Sequence, residues 1–187
     1  MSARFQPEPT AIAGLTVLAR SRFGDERGFL SRLFCGEELP DLGWSGAVMQ
    51  INETVTRFAG TVRGMHFQHA PFTETKLVTC VQGRILDVAV DLRQGSPTFL
   101  QHVAVELSED NARSLLIPAG FAHGFQALSD NVRMIYAHSA PFRPEAEGGL
   151  HPQDPALAIA WPLPVQKLSA RDERHPLIAR EFEGLTP

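Results

Sequence analysis

The chain has 187 residues and a mass of 20.5 kDa, a length that suits one domain with a core large enough to enclose a binding cavity. Seventeen Lys and Arg against 21 Asp and Glu leave a formal charge of −4 beside 43% hydrophobic residues, a balance with no field for gathering nucleic acid or an anionic membrane. No apolar run approaches the roughly 20 residues of a membrane-spanning helix, and the opening MSARFQPEPT lacks the apolar stretch of a signal peptide, so a cytoplasmic protein is expected.

Fifteen Gly and 14 Pro punctuate the chain at short intervals. There is no fixed-period repeat, low-complexity tract or linker, which predicts a single domain over 1–187. After a first strand region, LFCGEELPDLG (33–43) carries a weak helical signal. Brief β-type runs follow at 47–55, 61–67, 76–81, 85–91, 99–106, 114–117 and 132–137, separated by turn signals such as VQGR, RQGSP and LSDN. In ILDVAVD, Leu86, Val88 and Val90 fall on one face and Asp87, Ala89 and Asp91 on the other, the period of a strand. LSARDERHPLIAREFEG predicts a helical segment over about 168–183, opened by Ser169 with Asp172 three residues later. Short strands with helices only at the edges predict a mainly β fold, an antiparallel sandwich or jelly-roll barrel with a few short flanking helices. Cys35 and Cys80 stand apart, outside any CxxC pair, and are expected to be reduced.

Seven histidines could carry chemistry. His66, in TVRGMHFQ, shares a strand face with Gln68; His123 lies where IPAGFAHGF turns into a strand. Each fits a hydrogen-bonded interior histidine as well as a catalytic one. Lys76 is one of two lysines and opens the apolar run KLVTCV, while Tyr136 is the single tyrosine and sits inside VRMIYA. An edge charge and a packed aromatic would explain them equally. Asp172 is accounted for by capping, or by reaching a histidine to raise its basicity and fix its tautomer. Arg27 and Arg63 each precede a glycine and carry the fork that grips phosphate. His66, His69, Glu74 and His123 could form a mixed nitrogen and oxygen metal set, although residues 66 and 69, three apart, point to opposite faces of a regular strand. The G-x-S-x-G, P-loop and G-x-G-x-x-G patterns are absent from the sequence, which disfavours the chemistries they serve.

Taken in order, FGDERGF (23–29), QIN (50–52), TVRGMHFQ (61–68), KLVTCVQGRILDVAVDLRQGSPTF (76–99), LIPAGFAHGF (116–125), Tyr136 and LSARD (168–172) resemble the dTDP-4-dehydrorhamnose 3,5-epimerase family, over about residues 12–178. The resemblance implies a cupin-type jelly roll that works as a homodimer, without metal or redox cofactor. It implies inversion of carbon 3, carbon 5 or both in a nucleotide-linked 4-keto-6-deoxyhexose, the nucleotide being dTDP. On this reading the catalytic base falls on His66, its carboxylate partner on Asp172, the cation near the keto oxygen on Lys76 and the acid on Tyr136. Arg27, Gln50, Asn52, Arg63 and His123 match substrate-binding positions, joined by Gln68 and by Phe142, which could stack on the nucleotide base. The chemistry is coherent. A hydrogen beside a ketone leaves as a proton only if a base takes it and positive charge steadies the enolate oxygen, and inversion needs a second donor on the other face.

Two departures bear on specificity. Where the family often has a Tyr-Tyr pair this chain has Pro141 and Phe142, and Arg32 stands where many members carry an acidic residue. They leave room for a 3- or 5-mono-epimerase or for a different nucleotide. A metal-dependent cupin enzyme and a non-catalytic sugar-nucleotide binding module are the alternatives.

Overall fold

A computed structural model describes residues 4–186. Among these residues thirteen strands run in chain order: β1 Phe5–Pro9, β2 Thr16–Arg20, β3 Arg22–Asp25, β4 Gly28–Ser31, β5 Gln50–Thr56, β6 Val62–Gln68, β7 Lys76–Gln82, β8 Arg84–Asp91, β9 His102–Ser108, β10 Arg113–Ile117, β11 Phe121–Ala127, β12 Val132–His138 and β13 Glu147–Gly149. They form a six-stranded sheet, β1-β2-β10-β7-β12-β5, a five-stranded sheet, β13-β6-β11-β8-β9, and a separate hairpin, β3-β4. The pairings within these sheets are antiparallel. The two large sheets pack face to face as the cupin-type jelly roll.

The expected runs fall on β5 to β10 and on β12. β11 is buried along its whole length, so no polar face marks it in the sequence. The core between the sheets includes Val78, Cys80, Ile85, Leu107, Leu115, Phe125 and Met134. In β8 the alternation divides two buried faces. Ile85 and Ala89 point into that core, whereas Val88 and Val90 face outward beneath Leu150, Leu157 and the partly buried Ile178 and Phe182. Asp87, wholly buried, shares the inward parity of β8. Both cysteines are free thiols.

Neither expected helical segment is an α-helix. Residues 33–43 hold one 3-10 turn, Pro40–Leu42, and 168–183 hold another, Asp172–Arg174. Gly43, at φ 110°, ends the first. The residue ahead of Pro176, His175, is extended at ψ 140°, as a pre-proline position favours. Both segments instead lie as straps over the outer faces of the sandwich. The first buries Leu39 and Trp44 against Leu77 and Leu116. The second covers β8 and is tied down by hydrogen bonds from His151 N–H to Pro176 O and from Ile178 N–H to Asp154. Among the described residues no helix is long and apolar enough to cross a membrane.

Candidate active site

One end of the sandwich opens into a cavity of about 530 Å3, walled by both sheets and by the C-terminal strap. Its shape depends on a bulge in β6. Across the β6–β11 pair His66 faces His123 and Arg63 faces Phe125, so two residues of β6, Gly64 and Met65, answer Gly124 alone. The extra residue breaks the period of two and puts Arg63 in the cavity wall together with His66 and Gln68; strict alternation would have sent it to the other face. Gly64 makes the bulge possible. It adopts φ 129°, and a Cβ there would lie 2.5 Å from Gly124 Cα, so only glycine lets the strands approach this closely.

His66 Nε2 lies 2.8 Å from Asp172 Oδ1, and Gly64 N–H points to Asp172 Oδ2 at 3.4 Å. Burial alone would raise the Asp172 pKa, but the hydrogen bond and charge of His66 with the Gly64 N–H hold it at about 2. The backbone N–H of Asp172 donates to Ser169 Oγ at 3.0 Å, so half of the expected capping pair is present without a helix. Arg171, which sequence reasoning passed over, lies 3.0 Å from His66 Nε2 through Nη2 and donates to Glu147 from Nη1. His66 Nε2 therefore has two suitors: it donates to Asp172 in one tautomer and accepts from Arg171 in the other. Arg171's place beside Asp172 in LSARD was its one signal.

The facing sheet supplies the other groups. Lys76, 7% exposed, pairs with Glu74 at 3.2 Å and reaches His66 O at 3.4 Å. Glu74 also takes the Nδ1 of His138 at 2.9 Å. Burial works to raise the Glu74 pKa, and His138 and Lys76 outweigh it, keeping the carboxyl ionised. Tyr136 sits edge-on to His123 and stacks on His138. Burial, with the charge of Asp87, lifts its phenol far above the usual range, so the hydroxyl is a proton donor at neutral pH. His123 Nε2 lies 2.7 Å from the interior Asp87, whose own pKa burial raises. Asp87 and His138 were visible in sequence only as strand residues, and Glu74 only as a candidate metal ligand, because their roles come from the residues they meet in the fold.

Asn52, Arg63, Gln68, His123 and Phe142 also line the cavity. Arg63 is held by Thr56 Oγ1 and Val55 O. Gln68 spends its amide on the loop that carries Phe142, donating to Phe72 O and Pro141 O and accepting from Arg143 N–H. Gln50, outside the lining, accepts from Phe142 N–H at 3.1 Å. Both glutamines thus anchor the Pro141–Phe142 loop, Gln68 with both ends of its amide and Gln50 with its carbonyl oxygen. Arg27 is not brought to this cavity. It lies at the tip of the β3–β4 hairpin, paired with Asp25, in a shallow depression beside Phe23 and Phe29. Arg32 pairs with Glu38, also outside the lining. The mixed metal set does not converge: His66 goes to Asp172, His123 to Asp87 and Glu74 to Lys76, while His69 packs edge-on against Phe67.

The arrangement puts an imidazole–carboxylate pair on the five-stranded side of one hollow, and an ammonium and a neutral phenol on the six-stranded side. That is an equipment for moving protons at carbon. The family model for dTDP-4-dehydrorhamnose 3,5-epimerase matches residues 9–180. A Sinorhizobium fredii protein named dTDP-4-dehydrorhamnose 3,5-epimerase is 41% identical over 171 residues, covering 89% of this chain and 86% of its own. A Streptomyces niveus protein named dTDP-4-dehydrorhamnose 3-epimerase is 37% identical over 181 residues, 96% of this chain and 87% of its own. The crystal structure of a dTDP-6-deoxy-D-glucose-3,5-epimerase from Legionella pneumophila, in complex with dTDP-4-keto-L-rhamnose, superposes with a TM-score of 0.91 at 38% identity, covering 98% of this chain and 99% of that one.

Proposed function

This chain belongs to the dTDP-4-dehydrorhamnose 3,5-epimerase family, and from that membership we infer that it is an isomerase inverting carbon 3, carbon 5 or both in a dTDP-linked 4-keto-6-deoxyhexose. It works as one domain, in the cytoplasm, and the reaction asks for no redox cofactor or metal. His66 takes the hydrogen beside the ketone, with Asp172 steadying the imidazolium that forms. Lys76 faces the keto oxygen and stabilises the enolate. Tyr136 returns a proton from the other face. Two different groups are required because inversion means that the proton leaves one face and arrives at the opposite one. The single observation that supports this assignment is that His66 and Tyr136 stand on facing sheets of one cavity, so a sugar ring between them meets base and acid on opposite faces.

Arg63 serves the diphosphate, His123 and Asn52 the sugar, and Phe142, 47% exposed at the rim, the nucleotide base. Arg27 reaches a cavity only across a homodimer. The edge strand β5 leaves Ile51 64% exposed and Val55 45%, and the hairpin leaves Phe29 and Leu30 at 61% and 71%. Such an apolar edge is covered by a second copy, and each hairpin then carries its Arg27 toward the partner's cavity. The absence of a hydroxyl at Pro141 bears on which carbon is reprotonated.

In heavy water, a dTDP-4-keto-6-deoxyhexose incubated with the protein gains deuterium at carbon 3, carbon 5 or both, read by proton NMR. His66→Ala stops this exchange while the protein stays folded. Exchange at the normal rate in that variant would remove His66 as the base, and an absence of exchange in the unaltered protein would remove the reaction class.

A further inference from the structure

Behind the base lies a slot that the proposed reaction does not use. The ring of His175 fits where Gly149 lacks a side chain, for a Cβ on Gly149 would lie 2.2 Å from it. It meets the His66 ring edge-on, with centroids 5.6 Å apart, and lines a second cavity of about 690 Å3 between the C-terminal strap and β13. His175 Nε2 is buried and, among the described residues, without a hydrogen-bond partner, yet it lies 3.7 Å from the Asp172 oxygen that binds His66. A buried polar atom left in this way calls for an explanation, an unseen ion among them.

Three electron-rich groups therefore converge: His66, Asp172 and His175 each bring one ligand atom within 4.8 Å of the other two, with Asp172 Oδ1 lying 2.8 Å from His66 Nε2 and 3.7 Å from His175 Nε2. Around a tetrahedral zinc ion with bonds of about 2.0–2.2 Å, ligand atoms sit roughly 3.4 Å apart. The separations of 2.8 and 3.7 Å bracket that value. Two imidazoles and a carboxylate also suit a borderline divalent cation better than a hard one. Arg171 offers its charge to the first two groups, at 3.0 and 3.5 Å, and does not bond the third. Its side chain is half exposed and otherwise tethered only to Glu147, so it can swing aside.

We propose that His66, Asp172 and His175 form an inhibitory site for a zinc-class divalent cation, which displaces the Arg171 guanidinium and takes His66 out of catalysis. With Nε2 on the metal, the remaining imidazole proton sits on Nδ1 and neither nitrogen can accept another. The ion is a blocker of the base, not a cofactor. The inhibition rests on His66 acting as the base under the proposed function; the binding does not.

The test is a titration of the chelator-treated full chain with Co2+, followed by the intense visible absorption of four-coordinate cobalt and its loss on adding Zn2+. The bands appear in the unaltered protein and vanish in His175→Phe, which keeps a ring in the slot and should bind on the order of 100-fold more weakly, the upper end of what losing even an outer partner costs. Zn2+ that stops deuterium exchange in the unaltered protein leaves exchange by His175→Phe running. Arg171→Met, without the competing cation, binds cobalt more tightly. An absence of bands, or equal bands and equal inhibition in His175→Phe, overturns the site; weaker binding in Arg171→Met overturns the displacement. Bands that form while exchange continues unhindered overturn the inhibitory role and count against His66 as base.

Discussion

His66 and Asp172 are 106 residues apart in the chain and 2.8 Å apart in space, and that contact decides what each of them is. Alone, a half-buried strand histidine and a cap-like aspartate are ordinary. Joined, they form the imidazole–carboxylate pair that the proposed reaction uses as its base. Lys76 and Tyr136 were legible as singular residues in apolar runs, but the ion pair of Lys76 with Glu74 and the contacts of Tyr136 with His123 and His138 were not, because tertiary pairing leaves no trace in local pattern. The distinction between base and acid is testable at Tyr136. Its phenol is kept protonated by burial, so Tyr136→Phe should lower inversion roughly 10²–10⁴-fold, the usual worth of a positioned acid. Exchange on the His66 face persists, giving deuterated sugar of unchanged configuration. NMR of the recovered sugar reads both quantities, and full inversion in the variant would move the acid elsewhere.

At the scale of elements, strands with one apolar face or a β-branched run, such as β7, β8 and β12, could be read directly. β11 was legible only as the strand into which IPAGFAHGF turns, without bounds, since both its faces are buried and its inward face carries His123. The bulge at Gly64 was hidden for a different reason: a two-residue alternation has no symbol for an inserted residue, and the insertion is what turns Arg63 into the cavity. The straps were misread as helices because their apolar residues follow the groove of a sheet surface and not a helical stripe. The turn after β8 was legible only as RQGSP, but its anchor is Asp91, wholly buried, which accepts from Arg93, Ser96 and Thr98. Burial would raise the Asp91 pKa, and these donors more than reverse it, lowering it from 3.8. A depressed carboxyl contributes stability that is fully present above its unfolded pKa of about 4 and is lost as pH falls through the folded value. Asp91→Asn should therefore cost about 2 kcal/mol near neutral pH, and the gap to the unaltered protein should close in acid. Urea midpoints across pH 7 to 2 check this; a gap constant with pH would mean that the charge does not stabilise the turn.

For the whole molecule, strand count and spacing conveyed an antiparallel sandwich or barrel, while the family resemblance conveyed the cupin-type jelly roll and most of the site. It could not convey that Arg27 stands outside its own cavity, since a single chain carries no mark of where a neighbour will sit. The proposed homodimer makes a definite claim on β5. Ile51→Glu sets a charge on the exposed edge and should give a species of half the mass by sedimentation or light scattering, folded but with weakened substrate affinity. A variant that keeps the mass of the unaltered protein would shift the interface to another surface. The C-terminal strap has a consequence of its own. Asp172 lies on a segment that follows every strand of both sheets in chain order. Under the proposed function, a protease cut between β13 and Asp172 spares every strand yet severs the carboxylate from the chain that carries His66, so turnover is expected to fail on nicking before the sheets do.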